Sequence, residues 1–115
     1  MVYWGALVTG THLPAKALEG IRTNDKILHF LGYAGLSFLL TLATLPGSRS
    51  LVRGAVMVLA ALAGWAAVDE WTQRFVAGRN SDVGDWCADM IGSVAGMLCC
   101  GLAVFISRWL GSRIR

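Results

Sequence analysis

Charge is scarce in this 115-residue chain: Asp, Glu, Lys and Arg together make up 15% of it, against roughly 25% in soluble domains. A soluble domain of this size has a large surface for its volume, and so few charges cannot cover it. Proline is confined to Pro14 and Pro46, both between apolar segments. The three cysteines, Cys87, Cys99 and Cys100, have no metal-ligand spacing, and read as small apolar residues packing between helices. No H-E-x-x-H or other compact ligand motif is present, so no metal and no cofactor is assigned. The basic residues form no stripe on a polar face, which argues against a nucleic-acid partner. Met1–Leu13 carries neither a basic leader nor a small-residue cleavage site, so it does not read as a cleaved signal peptide.

What remains is apolar: 56% of residues are hydrophobic, with 14 glycines besides. That composition points to a single transmembrane domain over residues 1–115, with the lipid bilayer as its first partner. An all-α bundle is the expected fold, because helices satisfy their own backbones in lipid. The apolar pattern predicts helices at about 1–13, 26–45, 54–76 and 85–106. The last three match the ~20 residues of a full span. The first reaches only about 20 Å at 1.5 Å per residue, so the expectation is three full spans plus a short helix, with a start lying upstream of Met1.

Orientation follows from charge. With four segments, Arg49, Arg53, Arg108, Arg113 and Arg115 fall on one side with no acid at all. Lys16, Arg22, Lys26, Arg74 and Arg79 fall on the other, with all seven acids. Lys and Arg alone are tied. The acid-free side is read as cytoplasmic because its arginines have only anionic lipid to pair with. Tyr3, Trp4 and Trp109 would anchor that interface, and Trp71, Phe75 and Trp86 the outer one.

Ionisable side chains are costly inside a bilayer and usually face a bundle interior. Three stripes of them occur, all toward the acidic end. Lys26, His29, Tyr33, Ser37 and Thr41 share a face of the second helix by their spacing. Interhelical hydrogen bonding accounts for Ser37 and Thr41 but not for His29. On the third helix, Asp69 shares a face with Gln73, and Glu70 with Arg74, to which Glu70 could simply be salt-bridged. Asp69 would lie about 10 Å from the segment end, with His29, Lys26 and Arg79 as its available partners. On the fourth, Asp85, Asp89, Gly92 and Gly96 lie in one row. Asp85 has the alternative of a helix-start acid. The Gly-x-x-x-Gly pair lets another backbone approach, either within the chain or in a homo-oligomer. Asp82 reads as a solvated loop residue.

These residues carry a resemblance. Asp25-Lys26-Ile27-Leu28-His29-Phe30 with Tyr33 resembles the D-K-x-x-H-F-x-x-Y signature of VanZ-like membrane proteins. Asp69-Glu70-x-x-Gln73 is similar to that family's D-E-x-x-Q. Gly78-Arg79 followed by Asp85, Asp89, Gly92 and Gly96 resembles its G-R…D-x-x-x-(N/D)-x-x-G-x-x-x-G, and Thr11-His12-Leu13-Pro14 resembles a segment after the first helix of some members. Asp89 stands where many members carry Asn, and the first helix is shorter than the family's. The resemblance implies a bacterial, multi-pass protein of the cytoplasmic membrane in a cell-envelope, glycopeptide-resistance-related context. It supplies no reaction.

The expected site is therefore a polar pocket at the outer face. His29, Asp69 and Glu70 are the candidate catalytic residues, as proton-transfer groups if there is chemistry. Lys26, Tyr33, Gln73, Arg79, Asp85 and Asp89 are the candidate ligand contacts, with Lys26 and Arg79 meeting an anionic headgroup. Gly92 and Gly96 are packing residues. The ligand expected is an envelope lipid-linked or glycopeptide-type molecule. Carboxylates 69, 70, 85 and 89 with His29 could alternatively hold one divalent cation, or all these polar residues could be interhelical glue in a structural or assembly protein.

Overall fold

The computed structural model describes residues 2–14, 16 and 25–113; Glu19, Arg22 and Arg115 of the charge count lie outside these. Four helices follow in order: α1 (Val2–Thr11), α2 (Asp25–Thr44), α3 (Leu51–Gln73) and α4 (Val83–Arg113). The last three are long and apolar enough to cross a membrane. α1 has 10 residues and reaches about 15 Å, half the hydrocarbon thickness. The all-α expectation of three spans and a short helix is what the structure shows.

Local chemistry explains where the boundaries moved. α3 starts at Leu51 rather than near Gly54, because the Ser50 hydroxyl accepts from Arg53 N–H and caps the first turn. Arg53 is thus helical, not a loop residue. α3 also ends at Gln73, three residues before the expected Val76, in turns that lead through Gly78. Gly78 has φ 78°, a left-handed conformation that costs glycine little. Asp82 caps α4 by accepting the Gly84 N–H at 2.7 Å, so that helix begins at Val83. It continues through the expected end at Ile106 to Arg113, whose guanidinium lies over the Trp109 ring one turn back. At 31 residues α4 is about 46 Å long, exceeding a ~30 Å hydrocarbon layer.

The bundle is apolar outside and polar within. Buried side chains include His29, Ser37, Thr41, Asp69, Glu70, Gln73, Asp85, Asp89 and Ser93, whereas Leu31, Leu98, Leu102 and Phe105 are exposed. Water would favour the reverse arrangement; lipid as the solvent favours this one. The apolar core is small, built from Tyr33, Leu36, Val58, Leu62 and Ala66.

α2 and α4 run parallel in close contact. A Cβ on Gly92 would strike the Phe30 carbonyl, and one on Gly96 the Ala34 carbonyl. The glycine face is therefore covered by α2 of the same chain. Ser37 adds a 2.6 Å hydrogen bond to the Ser93 carbonyl. α3 packs across this pair, where Trp86 donates to the Ala63 carbonyl at 3.2 Å. Trp86 is thus turned into the bundle, not out to an interface as the sequence suggested, while Trp71 and Phe75 are exposed.

α1 lies against α2 and α3 at the acidic end. Tyr3 donates to the Gly32 carbonyl at 3.0 Å, and Trp4 meets Trp65 edge-on with ring centroids 4.6 Å apart. Both therefore sit at mid-helix level, not at the basic interface expected of them, because a 10-residue helix tied down at Thr11 starts halfway along the bundle. Beyond its start, an apolar cavity of about 550 Å³ is lined by Leu36, Leu39, Leu40, Ala61, Leu62 and Trp65.

Gly96→Ala is expected to destabilise the bundle by about 1–3 kcal/mol, because the new methyl meets backbone that cannot swing away. Gly64→Ala, where a Cβ meets nothing within 4 Å, is the control. Thermal unfolding of both variants in detergent checks this; equal stability would contradict it.

Candidate functional site

All six acids among the described residues gather at one end of the bundle, in two layers. The outer layer is an ion-pair rim. Arg79 grips Asp25 with both terminal nitrogens, at 2.7 and 3.4 Å, and its Nε donates to the Leu13 carbonyl at 3.4 Å. That fork ties the α3–α4 loop to the start of α2 and to the end of the α1 segment. Lys26 bridges Asp82 at 2.6 Å and Asp85 at 2.8 Å, passing over Gly84, where a Cβ would come within 2.6 Å of its Nζ. Asp82 is therefore more than a solvated loop residue: it caps α4 and holds Lys26. The Lys26 ammonium, aided by the Gly84 N–H, keeps the Asp82 carboxyl below the usual carboxylate range.

The inner layer is almost fully buried and draws on all four helices. His29 Nδ1 donates to Asp89 Oδ1 at 2.9 Å and lies 3.8 Å from Glu70 Oε1. Glu70 Oε2 accepts the Asp82 backbone N–H at 3.0 Å. The Gln73 amide donates to both Asp69 and Glu70 at 3.3 Å. Asp69 Oδ1 is 3.1 Å from the Thr11 hydroxyl and 3.6 Å from His12 Nδ1. His12 in turn lies 3.0 Å from the Val8 carbonyl through Nδ1 and 2.9 Å from the Thr72 hydroxyl through Nε2. A carbonyl only accepts, so His12 Nδ1 carries a proton.

Four buried polar atoms of this layer lack a hydrogen-bond partner: His29 Nε2, Tyr33 Oη, Gln73 Oε1 and Asp89 Oδ2. Buried polar groups are nearly always partnered; Thr41 Oγ1, Trp65 Nε1 and Ser93 Oγ are further unpartnered atoms away from this layer.

The expected residues are thus brought together, but with different partners. Asp69 meets Thr11, His12 and Gln73; His29, Lys26 and Arg79, its expected partners, serve other acids. Glu70 does not pair with Arg74, whose guanidinium lies over the Trp71 and Phe75 rings at 4.7 and 4.9 Å. Arg74 keeps helical dihedrals as the C-cap of α3, but Glu70 is turned into the bundle while Arg74 stacks on the exposed rings of Trp71 and Phe75. Both candidate anion contacts are occupied within the chain. Asp25, Thr11 and His12 were missed as site residues. Asp25 and the Thr11-His12 pair lay inside quoted motifs, and that was the available signal.

A bundle with an apolar exterior, three membrane-length helices and a buried ionisable cluster at one end defines a polytopic membrane protein. The VanZ/LLP1 family model matches residues 5–105, and the chain belongs to that family. No curated protein matches it, and no solved structure does.

Thr11→Val removes a hydroxyl donor beside a buried carboxylate and is expected to cost about 1 kcal/mol of stability, read by thermal unfolding. Asp82 contributes through a lowered carboxyl: its stabilisation is full above the usual carboxylate range and is lost as pH falls through the lowered value. The gap in unfolding temperature between wild type and Asp82→Asn should therefore close on acidification; a gap independent of pH would contradict this.

Proposed function

We propose that this VanZ-family protein holds the polar part of an envelope lipid-linked or glycopeptide-type ligand in the inner layer of its cluster. In this reading the protein sits in a bacterial cytoplasmic membrane with the cluster toward the outer face. One observation carries it: four partnerless buried polar atoms, His29 Nε2, Tyr33 Oη, Gln73 Oε1 and Asp89 Oδ2, within a single cluster. Leaving such atoms unpaired costs about 1–3 kcal/mol each, and a bound ligand's polar groups would recover that. Arg79 and Lys26 act as the rim that positions the helices around the ligand, since their charges already face Asp25, Asp82 and Asp85. If the ligand is transformed, His29 is the group suited to take and return a proton. Its Nδ1–H on Asp89 fixes the ring and leaves Nε2 as the free base. Asp69 and Glu70 then set the charge around it.

A second reading is favoured by the cross-bundle bonds themselves. Thr11–Asp69, His29–Asp89 and Arg79–Asp25 join elements far apart in sequence, as interhelical glue in a structural or assembly protein would.

The two readings part in one experiment: lipid and cell-wall precursor profiles of a deletion strain beside an Asp69→Asn strain. Ligand binding predicts that Asp69→Asn protein accumulates normally yet reproduces the deletion profile. Pure scaffolding predicts loss of the protein before any change in profile. A normal profile with normal protein levels would sink the ligand reading.

A further inference from the structure

We propose that His29, Glu70 and Asp89 bind a divalent first-row transition-metal ion of the zinc or manganese kind. One ligand atom from each residue lies within 4.8 Å of the others, and each comes from a different spanning helix. Two atoms bound at about 2.05 Å to a tetrahedral ion stand about 3.3 Å apart. The separations from His29 Nδ1, 2.9 Å to Asp89 and 3.8 Å to Glu70, fall on either side of that value. An imidazole with two carboxylates suits such an ion better than calcium or magnesium, which take oxygen alone, and better than a thiolate-seeking ion.

A second arrangement, Asp25 with His29 and Asp85, has similar spacing. It is the weaker site, because Arg79 already holds Asp25 at 2.7 Å and Lys26 already holds Asp85 at 2.8 Å. Among the described residues, Glu70 and Asp89 pair with no cation but His29 itself.

Two independent observations point to a missing positive group. The first is the set of lone pairs without donors. Asp89 Oδ2 is buried and unpartnered, and so is the hydroxyl of Tyr33, one turn deeper on α2, within electrostatic reach of Asp69, Glu70 and Asp89. An ion with a bound water offers what these oxygens lack. The second is charge. Asp69, Glu70, Asp85 and Asp89 are all buried. Among the described residues they face one ammonium and two imidazoles, and the ammonium is shared with Asp82. With all four ionised, the carboxylates are in excess even when both rings are protonated, and a bound cation or proton uptake is what relieves it. On binding, the ion takes the Nδ1 lone pair of His29, and the proton now donated to Asp89 is replaced by one on Nε2, so that the ring ligates as neutral imidazole. The inference goes beyond the ligand reading, because the ion is measured with no ligand present.

The test is elemental analysis of the full chain, purified in detergent, loaded with zinc and exchanged into metal-free buffer. About one zinc per chain is expected, with at least about tenfold less in Glu70→Gln and Asp89→Asn, as loss of a ligand requires. Gly64→Ala, away from the cluster with nothing within 4 Å of the added methyl, should keep its zinc, and excess magnesium should not displace it. X-ray absorption at the zinc edge of wild type, which needs no variant to fold, should show nitrogen and oxygen neighbours only. Folded wild type with only trace zinc would overturn the proposal. So would a sulfur shell from Cys87, Cys99 or Cys100, or undiminished zinc in folded Glu70→Gln and Asp89→Asn.

Discussion

α2 and α4 touch backbone to backbone, because Gly92 and Gly96 have no side chains to hold them off Phe30 and Ala34. Much of the site follows from that contact. The same parallel register that sets Gly92 beside Phe30 sets Asp89 beside His29, at a hydrogen-bonding distance of 2.9 Å. One turn earlier it sets Asp85 beside Lys26, and deeper in it sets Ser93 beside Ser37. Neither helix could offer its polar stripe to lipid without a large solvation cost. The glycines let each stripe find its complement in the other. α3 then closes the open side with Asp69, Glu70 and Gln73, and the end of α1 brings Thr11, with His12 just after it, against α3.

The layering has an electrostatic logic. At the rim, where side chains are partly exposed, oppositely charged groups pair directly: Arg79 with Asp25, Lys26 with Asp82 and Asp85. Lys26–Asp82, exposed on both sides, contributes little energy, whereas Arg79 and Asp85 are nearly buried. The role the pairs share is geometric: Arg79 ties the loop before α4 to the start of α2, and Lys26 ties α2 to the cap of α4. Deeper in, full charges give way to an imidazole, an amide and hydroxyls, which serve carboxylates without adding a second ion to desolvate.

Much of this was legible in the sequence because helical spacing is a strong constraint. Lys26, His29, Tyr33, Ser37 and Thr41 do lie on one face, and all but Lys26 are buried. Asp85 and Asp89 are buried together with Gly92 and Gly96. Spacing along one helix, however, is silent about which helix faces it. Asp69 was offered three cations and took none of them; its partners come from α1, whose short length made it look peripheral. Glu70 was offered Arg74, but Glu70 is held inside by Gln73 and the Asp82 N–H while Arg74 stacks on Trp71 and Phe75 outside. The aromatic residues misled for a similar reason. Trp86, Tyr3 and Trp4 resemble interfacial anchors by type, yet indole and phenol groups also serve backbone carbonyls within a bundle, as Trp86 does at Ala63 and Tyr3 at Gly32. Boundaries shifted wherever a single cap decided them, at Ser50 and at Asp82.

The occupied cations also narrow what the cluster can receive. A site meant to grip an anion directly would leave a guanidinium or ammonium facing inward. Here Arg79 is turned to Asp25, and Lys26 is held between two acids. The inner layer presents one carboxylate oxygen, an imidazole nitrogen, an amide oxygen and a phenol as its partnerless atoms. Three of these four groups offer lone pairs, and the phenol can offer one. Such a surface complements hydrogen-bond donors and positive charge. A hydroxyl- or amine-bearing group would fit it directly, whereas a phosphate would need an ion between itself and the carboxylates. In the proposed reading the chemistry of the ligand and the binding of a metal are therefore linked questions, because beside the His29 ring the inner layer has only an ion held between Glu70 and Asp89 to offer an anion.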